Sequence, residues 1–238
     1  MNDHLRNDYE EAKRFWNTAF TMDETEKKDA ETAVDKENGW KEMAPSEKLC
    51  TAVSSLGSRR KVLDYGCGRG WAAIIAAKGG CMDVTGVELA ENAVNSAEFY
   101  AKLYEVDDRV TFHHISEEWI SQVAPESFDG IVCSNVLDVV PGEVAEGIIE
   151  NLARIAEKDA AVVIGLNYYM EPKANPERNM TVKNGNHVYL NSILRLVCRT
   201  DEDWTELFSR YFKVERLEHF AWPGEETERR RLFCLRKR

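Results

Sequence analysis

The residues of this chain whose types and spacing could do chemistry begin in the stretch "DYGCGRGW", where Gly66, Gly68 and Gly70 alternate with larger residues and Asp64 stands two positions ahead. Glycine reaches positive φ and carries no Cβ, so a bend of this kind lets backbone press against a ligand. Three uses compete: a tight structural turn, a dinucleotide-binding loop, or a loop for another nucleoside-bearing cofactor. The dinucleotide fingerprint is G-x-G-x-x-G with a pyrophosphate facing the helix N-terminus. Here the spacing is G-x-G-x-G, and a carboxylate beside the bend suits a cationic ligand with an amino group better than a pyrophosphate. A second acid, Glu88, closes the next apolar run. One carboxylate can accept from both hydroxyls of a ribose. Its alternative is to cap the helix that starts at "LAENAV"; the glycine loop upstream favours the ribose.

These residues need elements to hold them. "KVLDY" (61–65), "DVTGVEL" (83–89), "RVTFHH" (109–114), "FDGIVCS" (128–134) and "AAVVIGLN" (160–167) read as buried strands. Between them, "WAAIIAAKG", "AENAVNSAEFYAKLYEV" and "GEVAEGIIENLARIAEK" carry apolar residues at helical spacing. That alternation predicts βαβ units and an α/β, doubly wound, mostly parallel sheet with helices on both faces. Ligands bind such sheets at the carboxyl ends of the strands, which is where the glycine loop falls. Trp71 starts and packs the first helix.

Residues 1–57 read as an N-terminal helical extension or lid, with helices over 3–20 and 23–56. The second is broken near "ENGW" and restarts at Pro45 as a first-turn proline. The main domain is 58–238. Within it, 168–200 is an insertion or long loop that could cover a substrate. A helix over 200–212 follows, capped by Thr200 with Asp203 three residues on. The tail "ERRRLFCLRKR" reads as a buried strand with solvated basic ends rather than a nucleic-acid patch.

The 238 residues carry a net charge of −11, which disfavours nucleic acid and anionic membrane as partners of the whole surface. Six cysteines, with no C-x-x-C pair, read as buried thiols rather than a disulfide framework or metal site. Without a signal-peptide pattern or a run approaching the roughly 20 apolar residues of a span, the expected location is cytoplasmic.

Together, "VLDYGCGRG", "VTGVEL", "RVTFHHISEEW" and "FDGIVCSNVLDVVP" resemble the class I S-adenosylmethionine-dependent methyltransferases. The resemblance covers about 60–167 closely and 200–238 loosely. It implies a seven-stranded sheet whose last strand is antiparallel, with S-adenosylmethionine laid across strands one, two and four. Carried over by position, it implies that Asp64, Gly66 and Gly68 face the methionine part, with Cys67 giving backbone. Glu88 would hold the ribose and Leu89 pack on the adenine. Ser116 stands where the family most often has an aspartate for the adenine amino group, with Glu117 and Glu118 beside it. Ser134 and Asn135 would reach the methionine end and the substrate.

Methyl transfer from a sulfonium is an in-line displacement, so a base is needed only if the acceptor must lose a proton. No residue declares itself as that base; His113 and His114 read as structural. Asn167, Tyr168, Tyr169 and His187, in or beside the insertion, are substrate candidates weighed against plain loop roles. Tyr9, Phe15, Trp16 and Trp40 could close a lid. The expected function is therefore methyl transfer to a small molecule. The alternatives are a nicotinamide oxidoreductase, a non-catalytic cofactor-binding module, or an RNA or protein acceptor. "SNVL" stands where amino-methylating nucleic-acid enzymes of the family carry an N-P-P-Y-type tetrapeptide.

Overall fold

Five apolar runs become the parallel part of a seven-stranded sheet, ordered β3-β2-β1-β4-β5-β10-β9, in a computed structural model that describes residues 3–238, with side chains from Tyr9 onward. The parallel strands are β1 (Val62–Tyr65), β2 (Val84–Glu88), β3 (Val110–His114), β4 (Phe128–Ser134) and β5 (Ala156–Leu166). β9 (Phe212–Phe220) and β10 (Arg230–Lys237) complete the sheet, and β10 runs antiparallel to both of its neighbours. All four residues of β1 are buried, as a strand covered on both faces requires.

Helices α3 (Glu47–Ser54), α4 (Trp71–Lys78) and α5 (Glu91–Leu103) cover one face through Leu49, Ile74, Ile75 and Ala97. Helices α6 (Trp119–Gln122), α7 (Gly142–Ile155) and α8 (Asp201–Ser209) cover the other through Ile120, Ile149, Leu152 and Trp204. The fold is the α/β, doubly wound arrangement expected from the sequence. β1 has β2 on one side and β4 on the other. The strand order reverses there, opening a crevice at the carboxyl ends of β1 and β4.

The N-terminal segment differs in detail from the expectation. α1 (Asp3–Ala19) ends near the expected point, but the second stretch divides into α2 (Glu24–Ala33), a 3-10 turn over Gly39–Met43, and α3. Asp23 and Glu26 form a capping box on α2. α3 is capped by Ser46, whose hydroxyl accepts from the Leu49 amide, so Pro45 precedes the cap instead of filling the first turn. A hydroxyl acceptor satisfies an orphan amide, and a proline cannot do that.

The 168–200 segment is not a plain loop. It forms a three-stranded antiparallel sheet of β6 (Met180–Lys183), β7 (His187–Leu190) and β8 (Ile193–Val197). Its turns use Asn184 with Gly185, and Asn191 with Ser192, all at positive φ. Consecutive positive-φ residues make the tight hairpin turns that match strand twist. The tail also departs from expectation: Arg230 and Arg231 are buried, Arg231 being only 1% exposed. Arg231 donates to the carbonyls of Asn167 and Arg199, which makes a buried guanidinium tolerable at this strand end.

Candidate active site

A cavity of about 1180 Å³ lies at the carboxyl ends of β1, β2, β4 and β5, roofed by α1 and α2 and flanked by β8. Pockets for one small ligand run to roughly 300–1,000 Å³, so this one has room for two.

The glycine loop forms its floor. Gly66 and Cys67 donate their amides to the Val87 carbonyl, tying the loop to β2. The next two loop glycines do different work. A Cβ at Gly70 (φ +81°) would lie 2.7 Å from the Phe112 ring and 2.9 Å from Ala97, so this residue lets the start of α4 close on β3 and α5. A Cβ at Gly68 (φ +53°) would project toward the cavity, where its nearest neighbour is the Phe20 ring at 3.5 Å. Gly68 is the point where the open face of the loop meets the cavity.

Asp64 does not line the cavity. Alternation along β1 sends its side chain beneath the loop, 2% exposed, where Oδ2 accepts from the Ala73 amide at 3.0 Å. That amide is one of the orphan donors in the first turn of α4, so the carboxyl caps the helix that the loop leads into. Burial pushes its pKa up to about 7, against the lowering effect of the Ala73 bond, and Glu88 adds to the rise. The direct contact with a ligand's amino group implied by the resemblance is replaced by support of the loop from below.

Glu88 does face the cavity. Oε2 accepts from the Gly68 amide at 3.0 Å, and Oε1 accepts from Leu89 at 2.7 Å and Ala90 at 3.1 Å. Glu88 thus orders the turn that leads into α5 and presents a carboxylate to the cavity. Burial raises its pKa, and the three amides oppose that rise. A carboxylate has about four acceptor positions, so three amides leave it able to take a hydroxyl. Cys67 is buried, its thiol pKa is raised by that burial, and its backbone is held by Val87 and Gly70. Leu89 lines the cavity. Ser116, Glu117 and Glu118 do not: they line a separate groove, where Glu117 pairs with Lys13 of α1 at 2.6 Å.

At the end of β4, Ser134 and Asn135 line the cavity, and Asn135 holds φ +57°. Ser134 donates to Asn135 Oδ1, and Asn135 Nδ2 donates to Asn167 Oδ1 at 3.1 Å. Asn167 also receives Arg230, and gives its own amide to the buried Asp138 at 2.6 Å. Burial holds the Asp138 pKa up at about 6, against the hydrogen bond from Asn167 and the charge of Arg231. This network fixes the ends of β4 and β5 side by side. Asp138, Arg230 and Arg231 had no sequence signal beyond their charge.

Tyr168 lines the cavity beneath Arg229 and Arg230, whereas Tyr169 is exposed and does not. His187 is also absent from the lining; its Nε2 accepts from the Gly142 amide at 3.3 Å, at the N-terminus of α7, a structural place. His113 and His114 are exposed on β3. Trp16 lines the roof, stacked on Phe20. Phe20, Arg195 and Trp222 complete the walls and were missed in the sequence, where single aromatic and basic residues carry no spacing signal.

With this geometry established, residues 62–159 match a family described as a methyltransferase domain. The ubiquinone biosynthesis O-methyltransferase of Neisseria meningitidis serogroup A is 28% identical over 145 residues, covering 61% of this chain and 56% of that protein. The chain thus spans little more than half the length of this relative. Among solved structures, the 1,6-didemethyltoxoflavin-N1-methyltransferase of Burkholderia thailandensis superposes with a TM-score of 0.62 at 17% identity, covering 89% of this chain and 86% of that one. The magnesium protoporphyrin IX methyltransferase of Synechocystis PCC 6803 gives 0.61 at 17% identity, covering 95% and 97%.

Proposed function

We propose, from the match of residues 62–159 to a methyltransferase-domain family, that the chain is an S-adenosylmethionine-dependent methyltransferase acting on a small-molecule acceptor. The observation that carries this reading is the pairing of Gly68 with Glu88 on one cavity wall. A side-chain-free backbone and a half-buried carboxylate, joined by a 3.0 Å bond, stand beside the strand-order reversal. They fit the cofactor: Glu88 would take a ribose hydroxyl, Leu89 would pack on the base, and the open face of Gly68 admits the chain that bears the sulfonium. When bound, that cofactor would supply a methyl group made electrophilic by positive sulfur.

The protein's part is to align the two and exclude water. Trp16 and Phe20 from the N-terminal segment, with Leu190 and Leu196 from the 168–200 sheet, supply apolar cover. Holding nucleophile, methyl and sulfur in line can supply roughly 7–11 kcal/mol of effective molarity. In this reading residues 1–57 are a lid and 168–200 a substrate cover.

The test is a calorimetric titration of the purified chain with S-adenosylhomocysteine and, separately, with NAD, followed by transfer of a labelled methyl group to a metabolite extract. Binding of the first and not the second, with label transfer, is the expected result. Preference for NAD would overturn the assignment, and binding without transfer would leave a cofactor-binding module.

A further inference from the structure

The charges that line the cavity are unevenly partnered. Its three lining carboxylates are Asp35, Glu42 and Glu88; the wall formed by Asn167, Tyr168, Leu190, Arg195, Leu196, Trp222 and Arg230 has none among the described residues. Four cations line the cavity, and three are matched. Lys13 pairs with Glu10 and Glu117, Arg69 with Glu26, and Arg230 with Glu225 at 2.7 Å. Arg195 differs: among the described residues it has no carboxylate partner, and its guanidinium instead rests 4.5 Å from the Phe15 ring centre and 5.5 Å from that of Trp16. In a chain of net charge −11, carboxylates are abundant, so a half-buried arginine left with aromatic rings alone stands out.

Stacking on rings satisfies the face of a guanidinium and leaves its N–H edge for an in-plane, two-oxygen partner. No imidazole or carboxylate of this wall is available to take a proton from an acceptor. Both facts favour an acceptor that arrives as an anion. Resting on the methyltransferase reading, we propose that the acceptor is a small apolar molecule bearing a carboxylate, which Arg195 grips through its guanidinium edge while the apolar body lies against Leu190, Leu196 and Trp222. The charges also complement the cofactor: an anion held by Arg195 balances a cationic sulfonium inside one cavity.

The test uses the full chain and two matched probe pairs, trans-cinnamate with trans-cinnamamide and decanoate with decanamide, titrated into protein saturated with S-adenosylhomocysteine. At least one acid should bind about tenfold or more tightly than its amide, the scale of a charge-assisted hydrogen bond. Arg195→Gln should erase that preference, and Arg195→Lys should keep part of it. The Gln variant's S-adenosylhomocysteine affinity and unfolding midpoint serve as its folding controls. Equal binding of acid and amide by the natural chain, absence of binding by both acids, or an acid preference that survives Arg195→Gln would each overturn the proposal. A natural chain that fails to bind S-adenosylhomocysteine sinks the methyltransferase reading and this proposal together; one that binds it without an acid preference sinks only the latter.

Discussion

The Asp64 carboxyl sits 3.0 Å from the Ala73 amide, buried between β1 and the first turn of α4, so the acid nearest the glycine loop acts on the loop from below. Its pKa is raised to about 7, well above the roughly 3.9 of an unfolded aspartate. A group that holds its proton more tightly when folded stabilises the fold fully below the unfolded value, and that stability is lost as pH rises through the folded value. The contribution of Asp64 to the unfolding free energy should therefore fall between about pH 4 and pH 7. Asp64→Asn keeps an acceptor for Ala73 and cannot ionise, so it should flatten this slope. Chemical denaturation across that range checks it. Asp138, raised to about 6, contributes with the same sign, so Asp138→Asn is a second arm.

Glu88 carries an expectation about binding, because its carboxylate faces the cavity while holding three backbone amides. Glu88→Ala removes acceptors from Gly68, Leu89 and Ala90 and from any ribose. Charge-assisted hydrogen bonds contribute about 1.5–3 kcal/mol each, so losing the one to a ribose hydroxyl should weaken S-adenosylhomocysteine by about 10- to 100-fold. Glu88→Gln keeps one acceptor oxygen and should fall between. Calorimetry on both variants, with unfolding midpoints as controls, settles the ordering; unchanged affinity in Glu88→Ala would remove the ribose role.

Substitutions at two glycines of the same loop should separate binding from folding. At Gly68 a Cβ meets Phe20 no closer than 3.5 Å, so Gly68→Ala costs chiefly the left-handed backbone, about 1–2 kcal/mol. The chain should fold, with cofactor affinity reduced by the methyl group at the cavity floor. At Gly70 the same atom falls within 3 Å of Phe112 and Ala97. Overpacking adds about 1–3 kcal/mol to the backbone cost, so Gly70→Ala should lower the unfolding midpoint distinctly further. Equal thermal shifts in the two variants would contradict this division of labour.

The parallel sheet was legible because each buried strand is a continuous apolar run and each helix has its own period: "VLDY", "IVCS" and "VVIGL" all lie in strands paired as the alternation requires. The loop and Glu88 were legible for the same local reason. Asp64 shows where such reading stops. Type and spacing place its carboxylate beside a ligand, but the side-chain alternation of β1, visible only once the strand's faces are known, turns it under α4. Ser116 to Glu118 missed the cavity because α1, through the Lys13–Glu117 pair, meets them in a groove of their own. The small sheet of 180–197 was missed although Asn184-Gly185 is a hairpin signal, since the surrounding Asn, Pro and Lys obscured the strands. Arg195 and Trp222 come from distant segments, and only the fold brings them to one wall.

The roof of the cavity has an identifiable latch. Where α1 gives way to the following turn, Asn92 donates its amide to Asn17 Oδ1 at 3.1 Å and its side-chain nitrogen to the Asn17 carbonyl and the Thr21 hydroxyl, both at 3.0 Å. Ser96 donates to the Phe20 carbonyl at 3.1 Å. These bonds pin Phe20 over Gly68 from α5. Each neutral bond contributes about 0.5–1.5 kcal/mol, so Asn92→Ala, which loses the two made by its side chain, should weaken closure by about 1–3 kcal/mol. Ligand exchange that requires this end of α1 to lift should then quicken in both directions, with dissociation of S-adenosylhomocysteine rising about tenfold. Stopped-flow tryptophan fluorescence, with Trp16 and Trp71 both on the cavity wall, would follow it. Hydrogen exchange over residues 9–21 should speed up in parallel, while the sheet amides stay protected. An Asn92→Ala variant with unaltered dissociation and unaltered exchange would show that α1 is fixed packing and that ligands enter elsewhere.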